Sequence, residues 1–132
     1  MSQTIRPFLM FQDGNAEAAM TFYASLFPDG KVLELQRFGA DGPGVEGSIK
    51  LAHFTIGGQQ VLCTDSAVRH AFSFTPSMSL FVICASEDEI ARLAGALGDG
   101  GEVLMPLDDY GFSRRFTWVN DRHGVSWQLN LP

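Results

Sequence analysis

The first group of side chains that could do chemistry consists of His53, Cys63 and Asp65. They lie on two strand-like segments joined by Gly57-Gly58. Cys63 and Asp65 are two residues apart, so alternation along a strand places them on one side. With His53 across the hairpin, an imidazole, a thiol and a carboxylate would converge on a divalent metal, or His53 or Asp65 would act as a general base. The structural alternative places Cys63 in the core, Asp65 on backbone amides or at the strand end, and His53 inward with its hydrogen bonds satisfied.

A second group, near the end of the sequence, consists of Tyr110, Arg114, Trp118 and Gln128. Together they offer a phenol, a cation, an aromatic wall and an amide to a small organic ligand. Arg114 and Trp118 share strand parity with Phe112 and Phe116. The alternative is therefore that the aromatic rings belong to the core and that Arg114 lies at a solvated edge.

Residues 110–131 are predicted to form two strands joined by a turn at residues 120–124, where Gly124 can take positive φ. In the second strand Ser126, Gln128 and Asn130 alternate with apolar residues. Alternation places the three polar side chains on one face. This pattern indicates a wet or ligand-lined surface opposite a packed one.

The elements that would position these residues occur twice in the same order: strand, helix, then three strands. In the first half, strands are predicted at residues 5–11, 31–38, 49–56 and 59–65, with a helix that follows Asn15 and ends at Pro28. In the second half, strands are predicted at 78–84 and 103–107 and within 110–131. The second helix begins at a capping box, Ser86 with Glu89. Residues 39–47 hold four glycines and a proline and form a candidate mobile flap.

The repeated order predicts an α+β fold of two βαβββ modules, residues 1–66 and 77–132, with a connector at 67–76. After the helices, LFPDGKVLEL matches LGDGGEVLMPL with one extra glycine. Neither module could bury its sheet face alone. The modules must therefore pair, within the chain or across a homodimer, as one compact domain.

Composition narrows the class of protein. The chain has 132 residues, a net charge of −6 and 45% hydrophobic residues, as expected of an ordinary soluble domain. An acidic chain disfavours nucleic acid or an anionic membrane as partner. No apolar run approaches the ~20 residues of a membrane span, and the first six residues lack a signal-peptide pattern. Both cysteines are expected to be buried thiols, not a disulfide. A cytoplasmic, bacterial-style enzyme or binding protein is expected.

Sequence motifs occur along nearly the whole chain: PFLMF, GNAEAAMTFY, LFPDG, AHFTIGGQ, TDS, SLFV, YGF and DRHGVSWQLNL. They resemble the vicinal oxygen chelate superfamily, which includes glyoxalase I, bleomycin-resistance proteins and extradiol dioxygenases. More narrowly, they resemble its PhnB-like branch, long labelled 3-demethylubiquinone-9 3-methyltransferase. The resemblance implies that the two modules form a curved mixed sheet around a cavity, with the helices outside.

In the superfamily's metal enzymes, His and Glu side chains from the first and last strands of each module hold an ion in that cavity. Carried onto this sequence, those positions fall on Gln128, on Ser79, near Cys63, and near Pro7 or Phe8. An amide, a hydroxyl and a proline are poor ligands for a divalent metal. The resemblance thus implies the cavity, with Ser79 among its lining residues, but not the metal.

Three hypotheses of function follow. The leading one is a small-molecule binding protein without chemistry and with no cofactor. The second is a metal-dependent lyase, isomerase or dioxygenase using His53, Cys63 and Asp65, and the third is a metal-free enzyme with His53 or Asp65 as base. Methyl transfer is not expected, because the usual methyltransferase domain needs a doubly wound sheet and a glycine-rich loop between a strand and a helix.

Overall fold

The chain folds as two compact units that divide between Ser73 and Phe74, in a computed structural model that describes residues 2–132. Met1, part of the predicted first module, lies outside the described residues. The first unit contains β1 (Phe8–Phe11), α1 (Ala16–Leu26), β2 (Lys31–Arg37), β3 (Ile49–Ile56) and β4 (Gln59–Asp65). The second contains β5 (Leu80–Ile83), α2 (Glu87–Gly98), β6 (Glu102–Asp108), β7 (Arg115–Asn120) and β8 (Ser126–Leu131). The predicted α+β class with two βαβββ modules is confirmed.

The first module is a four-stranded sheet in the order β1-β4-β3-β2, with β1 parallel to β4 and the other pairs antiparallel. Helix α1 covers one face with a stripe at helical spacing, in which Tyr23 meets Phe54 at 6.4 Å between ring centroids. The stripe is buried throughout and consists of Ala16, Ala19, Met20, Tyr23 and Leu26. The face away from α1 is named the first open face; it carries Phe8, Met10, His53, Gln60 and Leu62.

The second module repeats this arrangement in the order β5-β8-β7-β6. Helix α2 begins at the predicted cap, where Ser86 Oγ accepts the Glu89 N–H at 3.1 Å. Ile90, Leu93 and Leu97 form its buried stripe. Trp127, Leu129 and Leu131 of β8 are buried on the sheet side that faces this helix. The face away from α2, named the second open face, carries the polar residues that alternate with them.

A glycine directly precedes the second strand of each module, at the repeat noted in the sequence. A Cβ on Gly30 would lie 1.7 Å from Ala24 O, and one on Gly101 would lie 2.1 Å from Asn120 O. Because real Cβ atoms do not come so close to backbone oxygens, no other residue fits either position without displacing the chain. Close approach, not turn chemistry alone, explains the repeated glycine.

Several strands are shorter than predicted. β1 begins at Phe8 rather than Ile5, because pairing with β4 begins at Phe8 and Leu62. β7 begins at Arg115 rather than Tyr110. The preceding residues form a loop in which Asp109 Oδ1 accepts the Gly111 N–H at 2.8 Å. Local side-chain to backbone bonding of this kind competes with strand pairing.

The segment 39–47 is closed at its base by two backbone hydrogen bonds. The Phe38 N–H donates to Ser48 O and the Gly47 N–H donates to Phe38 O, both at 2.9 Å. The Phe38 ring is buried beneath the loop. Cys63 and Cys84 are buried free thiols, as predicted. Within residues 2–132, no helix is long and apolar enough to cross a membrane.

Candidate functional site

The second open face is a grid of three rows of side chains, fixed by strand register. The first row consists of Ser126 and Asn120. Ser79, which lies just before β5, extends this row through a hydrogen bond to Ser126. Across the face, the second row is Phe81, Gln128, Trp118 and Met105, and the third is Ile83, Asn130, Phe116 and Asp108. Strand β8 therefore presents a polar lane, Ser126–Gln128–Asn130, between apolar side chains of β5 and β7.

A network of neutral hydrogen bonds organises one end of this lane. Ser126 Oγ accepts from Trp118 Nε1 at 2.9 Å and lies 2.7 Å from Ser79 Oγ. Gln128 Nε2 donates to Ser79 Oγ at 3.3 Å. Ser79, Trp118 and Gln128, predicted as ligand-binding residues, are thus brought together. None of these four side chains ionises in the ordinary pH range, so the network keeps one charge state.

Two amide oxygens on the same face are buried and accept no hydrogen bond: Asn120 Oδ1 in the first row and Asn130 Oδ1 in the third. A buried acceptor without a donor is costly, and most such groups in folded proteins are paired. Asn130 lies between Phe116 and Ile83 in its row. The far end of the lane therefore has unused hydrogen-bonding capacity next to an apolar surface.

Three aromatic rings gather at this far end. Phe116 is buried, and Tyr110 and Phe112 meet it edge-on with centroids 6.0 and 5.0 Å away. Tyr110 and Phe112 are nearly parallel to each other, at 18° between ring planes. The Tyr110 hydroxyl donates to Pro106 O at 2.5 Å, which fixes its ring.

The strand parity that would place the Arg114 guanidinium on the same face as Trp118 does not apply, because Arg114 is not part of β7. It lies before β7, is exposed, and its Nε donates to Pro132 O at 2.7 Å. Its backbone N–H donates to Leu131 O at 3.0 Å. Arg114 therefore lies at the solvated edge, which was the structural alternative.

The alternative in which His53, Cys63 and Asp65 converge on one site is wrong. In the register of β3 with β4, His53 lies opposite Leu62, whereas Cys63 lies opposite Ala52. His53 thus lies on the first open face and the other two lie on the helix side. The antiparallel pairing is one residue out of phase with the pairing that the metal hypothesis needed.

Asp65 and Cys63 have structural surroundings. Asp65 is buried, and its two oxygens accept the N–H groups of Ala16 at 2.9 Å and Ile49 at 2.8 Å. Burial, with the nearby Asp65 charge, raises the pKa of the Cys63 thiol to about 12. Neither group is placed to serve as a base or a metal ligand.

His53 is the candidate base that remains on an open face. It is half-buried, and its Nε2 lies 2.8 Å from Gln60 Oε1 on the neighbouring strand. An amide oxygen can only accept, so this bond places the proton on Nε2. Within residues 2–132 no cluster of three or more His, Cys, Asp or Glu side chains could hold a metal ion.

The family model described as 3-demethylubiquinone-9 3-methyltransferase matches residues 3–130. The chain belongs to this family. A PhnB protein from Bacillus cereus that carries the same methyltransferase name is 49% identical, over 98% of this chain and 100% of its own, with a TM-score of 0.95. Protein PA1353 from Pseudomonas aeruginosa is 28% identical, over 98% of each chain, with a TM-score of 0.85. No functionally curated protein matches the chain.

More distant structures share the fold. A glyoxylase/bleomycin resistance protein/dioxygenase domain from Frankia sp. EAN1pec is 15% identical, over 99% of this chain and 92% of its own, with a TM-score of 0.67. The chain is thus similar to a PhnB protein, as the sequence motifs predicted, and it shares the fold of a glyoxylase/bleomycin resistance protein/dioxygenase domain.

The superfamily's metal does not fit this PhnB-like chain. Gln128 lies on the second open face beside Ser79, so an amide and a hydroxyl stand where the metal enzymes have Glu and His. In the first module Cys63 lies on the helix side, and its neighbour Leu62 lies on the open face. This donor set lacks imidazole and carboxylate ligands.

Several residues of this site in the PhnB-like chain were not identified as site residues from the sequence. Ser126 and Asn130 were placed on a polar face, but only Gln128 was singled out from it. Phe81 was missed because a four-residue apolar strand gives no sign of which residues face the helix. The signal that would have found it is parallel pairing with β8, which places Phe81 beside Gln128.

Proposed function

We propose that the chain binds a small organic molecule on the second open face and does so without a metal. The observation that carries the proposal is the neutral network of Ser79, Trp118, Ser126 and Gln128, which ends beside an exposed apolar residue. Phe81 is 56% exposed next to Gln128. A few fixed polar groups set among apolar and aromatic side chains are typical of small-molecule sites.

Neutrality supports binding rather than catalysis. The network has donors and acceptors but no group poised to take up a proton. Asp65 and Cys63, the other candidates for chemistry, are held in the helix-side core of the first module. The family's methyltransferase name gains no support from the fold, because both sheets are four-stranded and mixed rather than doubly wound and parallel.

A thermal-shift screen of aromatic and amphipathic small molecules tests the proposal. Compounds that bind the folded protein raise its melting temperature by mass action. The key variant is Gln128→Leu, which keeps the size of the side chain and removes its amide. Its matched control is Gln60→Leu, the same change on the first open face, where Gln60 contacts His53.

We expect at least one compound to stabilise the wild-type protein, with a smaller shift in Gln128→Leu and an unchanged shift in Gln60→Leu. Circular dichroism of both variants would establish that they are folded. A screen without hits would overturn the proposal, and so would hits that stabilise Gln128→Leu as strongly as the wild type. Hits lost only in Gln60→Leu would place binding on the first open face instead.

A further inference from the structure

We infer that the ligand carries a flat aromatic ring and a hydrogen-bond donor, with the ring against Tyr110 and Phe112 and the donor directed to Asn130 Oδ1. This inference rests on the proposed function and names the class of molecule that the second open face would bind.

The unpartnered oxygen of Asn130 indicates the donor. Asn130 Oδ1 is buried and accepts no hydrogen bond, although Asn130 lies only two residues along β8 from Gln128. Its neighbours in the row, Ile83 and Phe116, are apolar and cannot supply an N–H or O–H. Once the Asn130 side chain rotates towards the open face, a ligand hydroxyl or amine can donate to this oxygen, and the pairing would be strong because few waters compete for it.

Exposed aromatic rings in contact with Phe116 indicate the flat ring. Phe112 is 63% exposed and Tyr110 is 38% exposed, although both touch the buried Phe116. Aromatic side chains usually bury most of their area, so two held rings with free surface form a stacking platform. Phe116 is the residue that links the two features, since it lies opposite Asn130 and meets both rings edge-on.

The platform is fixed before any ligand arrives. The Tyr110 hydroxyl donates to Pro106 O, and Asp109 Oδ1 accepts the N–H of Gly111, which lies between the two aromatic residues in the sequence. A fixed platform loses little conformational entropy on binding, which favours rigid, flat ligands over flexible ones.

Three probes separate the two features: 2-naphthol, 2-methoxynaphthalene and decahydro-2-naphthol. The first has both a flat ring and a donor, the second lacks the donor, and the third lacks the aromatic ring. Isothermal titration calorimetry would give the three dissociation constants for the wild type. We expect 2-naphthol to bind about tenfold more tightly than either of the others.

Three variants assign these preferences to residues. Asn130→Leu should remove the preference for 2-naphthol over the methoxy compound, whereas Asn120→Leu, which removes the other buried unpartnered oxygen, should keep it. Phe112→Leu should remove most of the preference for the aromatic ring over the saturated one. Unfolding curves would establish that all three variants fold.

Equal binding of 2-naphthol and 2-methoxynaphthalene to the wild type would overturn the inference, as would a donor preference that survives Asn130→Leu. If none of the three probes binds while other compounds show Gln128-dependent shifts, the inference fails and the proposed function stands. If no compound of either set binds, both fail.

Discussion

Asp65 is a buried carboxylate that the sequence offers as a candidate base or metal ligand, whereas its contacts in the fold are structural. Its oxygens accept from the first residue of α1 and from the first residue of β3. The side chain therefore joins the helix, β3 and the end of β4. A carboxylate with both oxygens engaged by buried amides has little freedom to take a proton from a substrate.

Replacing Asp65 by Ala should destabilise the protein by at least about 3 kcal/mol, because two buried N–H groups would lose a charged acceptor. Urea unfolding followed by circular dichroism measures this. The matched control is Asp13→Ala, which removes an exposed ion pair with Arg69 and should cost less than about 1 kcal/mol. A similar loss in both variants would contradict the assigned role of Asp65.

Ionisation of the Cys63 thiol should lower the free energy of unfolding at alkaline pH. The pKa of this thiol in the folded state, about 12, lies above the ordinary value of 9.0 because of burial. The folded state therefore favours the protonated thiol, and this contribution is present below about pH 9 and lost as pH rises towards the folded pKa. In urea unfolding, the stability difference between wild type and Cys63→Ala should be constant up to about pH 8 and then change in favour of the variant.

A difference that stays constant over the whole alkaline range would contradict this prediction. The same burial should protect both thiols from Ellman's reagent near neutral pH until the protein is unfolded, because the thiolate is the reactive form.

At the scale of elements, the glycines of α2 and of the following turn should respond in opposite ways to the same change. Gly101→Ala places a Cβ 2.1 Å from Asn120 O and should destabilise by about 2 kcal/mol or more. Gly95→Ala lies inside α2 with open space around it and should stabilise by roughly 0.5–1 kcal/mol. Thermal unfolding of the two variants tests this pair. Stabilisation by both changes would show that the turn yields easily.

The order of elements could be predicted because each has a strong local signal. Helix α1 has a complete apolar stripe, α2 has its capping box, and Gly57-Gly58 marks the turn between β3 and β4. Strands β3 and β4 were predicted to the residue for the same reason.

Cross-strand register could not be predicted, and the site depends on it. Whether His53 lies opposite Leu62 or Cys63 is decided by hairpin pairing, and one residue of difference moves a side chain to the other face. The parallel pairing of β5 with β8 joins residues about 50 positions apart, which no local pattern encodes. Polar alternation in β8 was therefore visible in the sequence, whereas its neighbours Phe81 and Ser79 followed only from the fold or the family.

At the scale of the whole molecule, two modules of the same design present different chemistry. The first open face carries the imidazole of His53, which contacts Gln60. The lane on the second carries only neutral side chains, Ser126, Gln128 and Asn130. The two modules therefore share a sheet and helix framework but differ in the side chains on their open faces.

We also propose a homodimer, because each sheet ends in edge strands whose backbone groups can pair with another chain. Edge strand β2 leaves Val32 and Leu33 37% and 43% exposed. Sedimentation velocity should give the mass of a dimer, and Leu33→Lys should weaken self-association, since a lysine blocks an edge. A monomer at every concentration of wild-type protein would contradict the proposal.

The two tryptophans lie on opposite sides of one sheet. Trp127 is fully buried, with Nε1 donating to Asp121 Oδ2 at 2.8 Å, whereas Trp118 lies half-buried in the second open face. The protein therefore carries two fluorophores that report on different events, unfolding of the module and occupation of the open face. The emission of Trp127 should be blue-shifted and should not be quenched by acrylamide until the module unfolds. The emission of Trp118 should be quenched by acrylamide and should change when a ligand binds to the second open face. In the Trp127→Phe variant, the remaining tryptophan fluorescence would come from Trp118, on the face where a ligand is expected to bind.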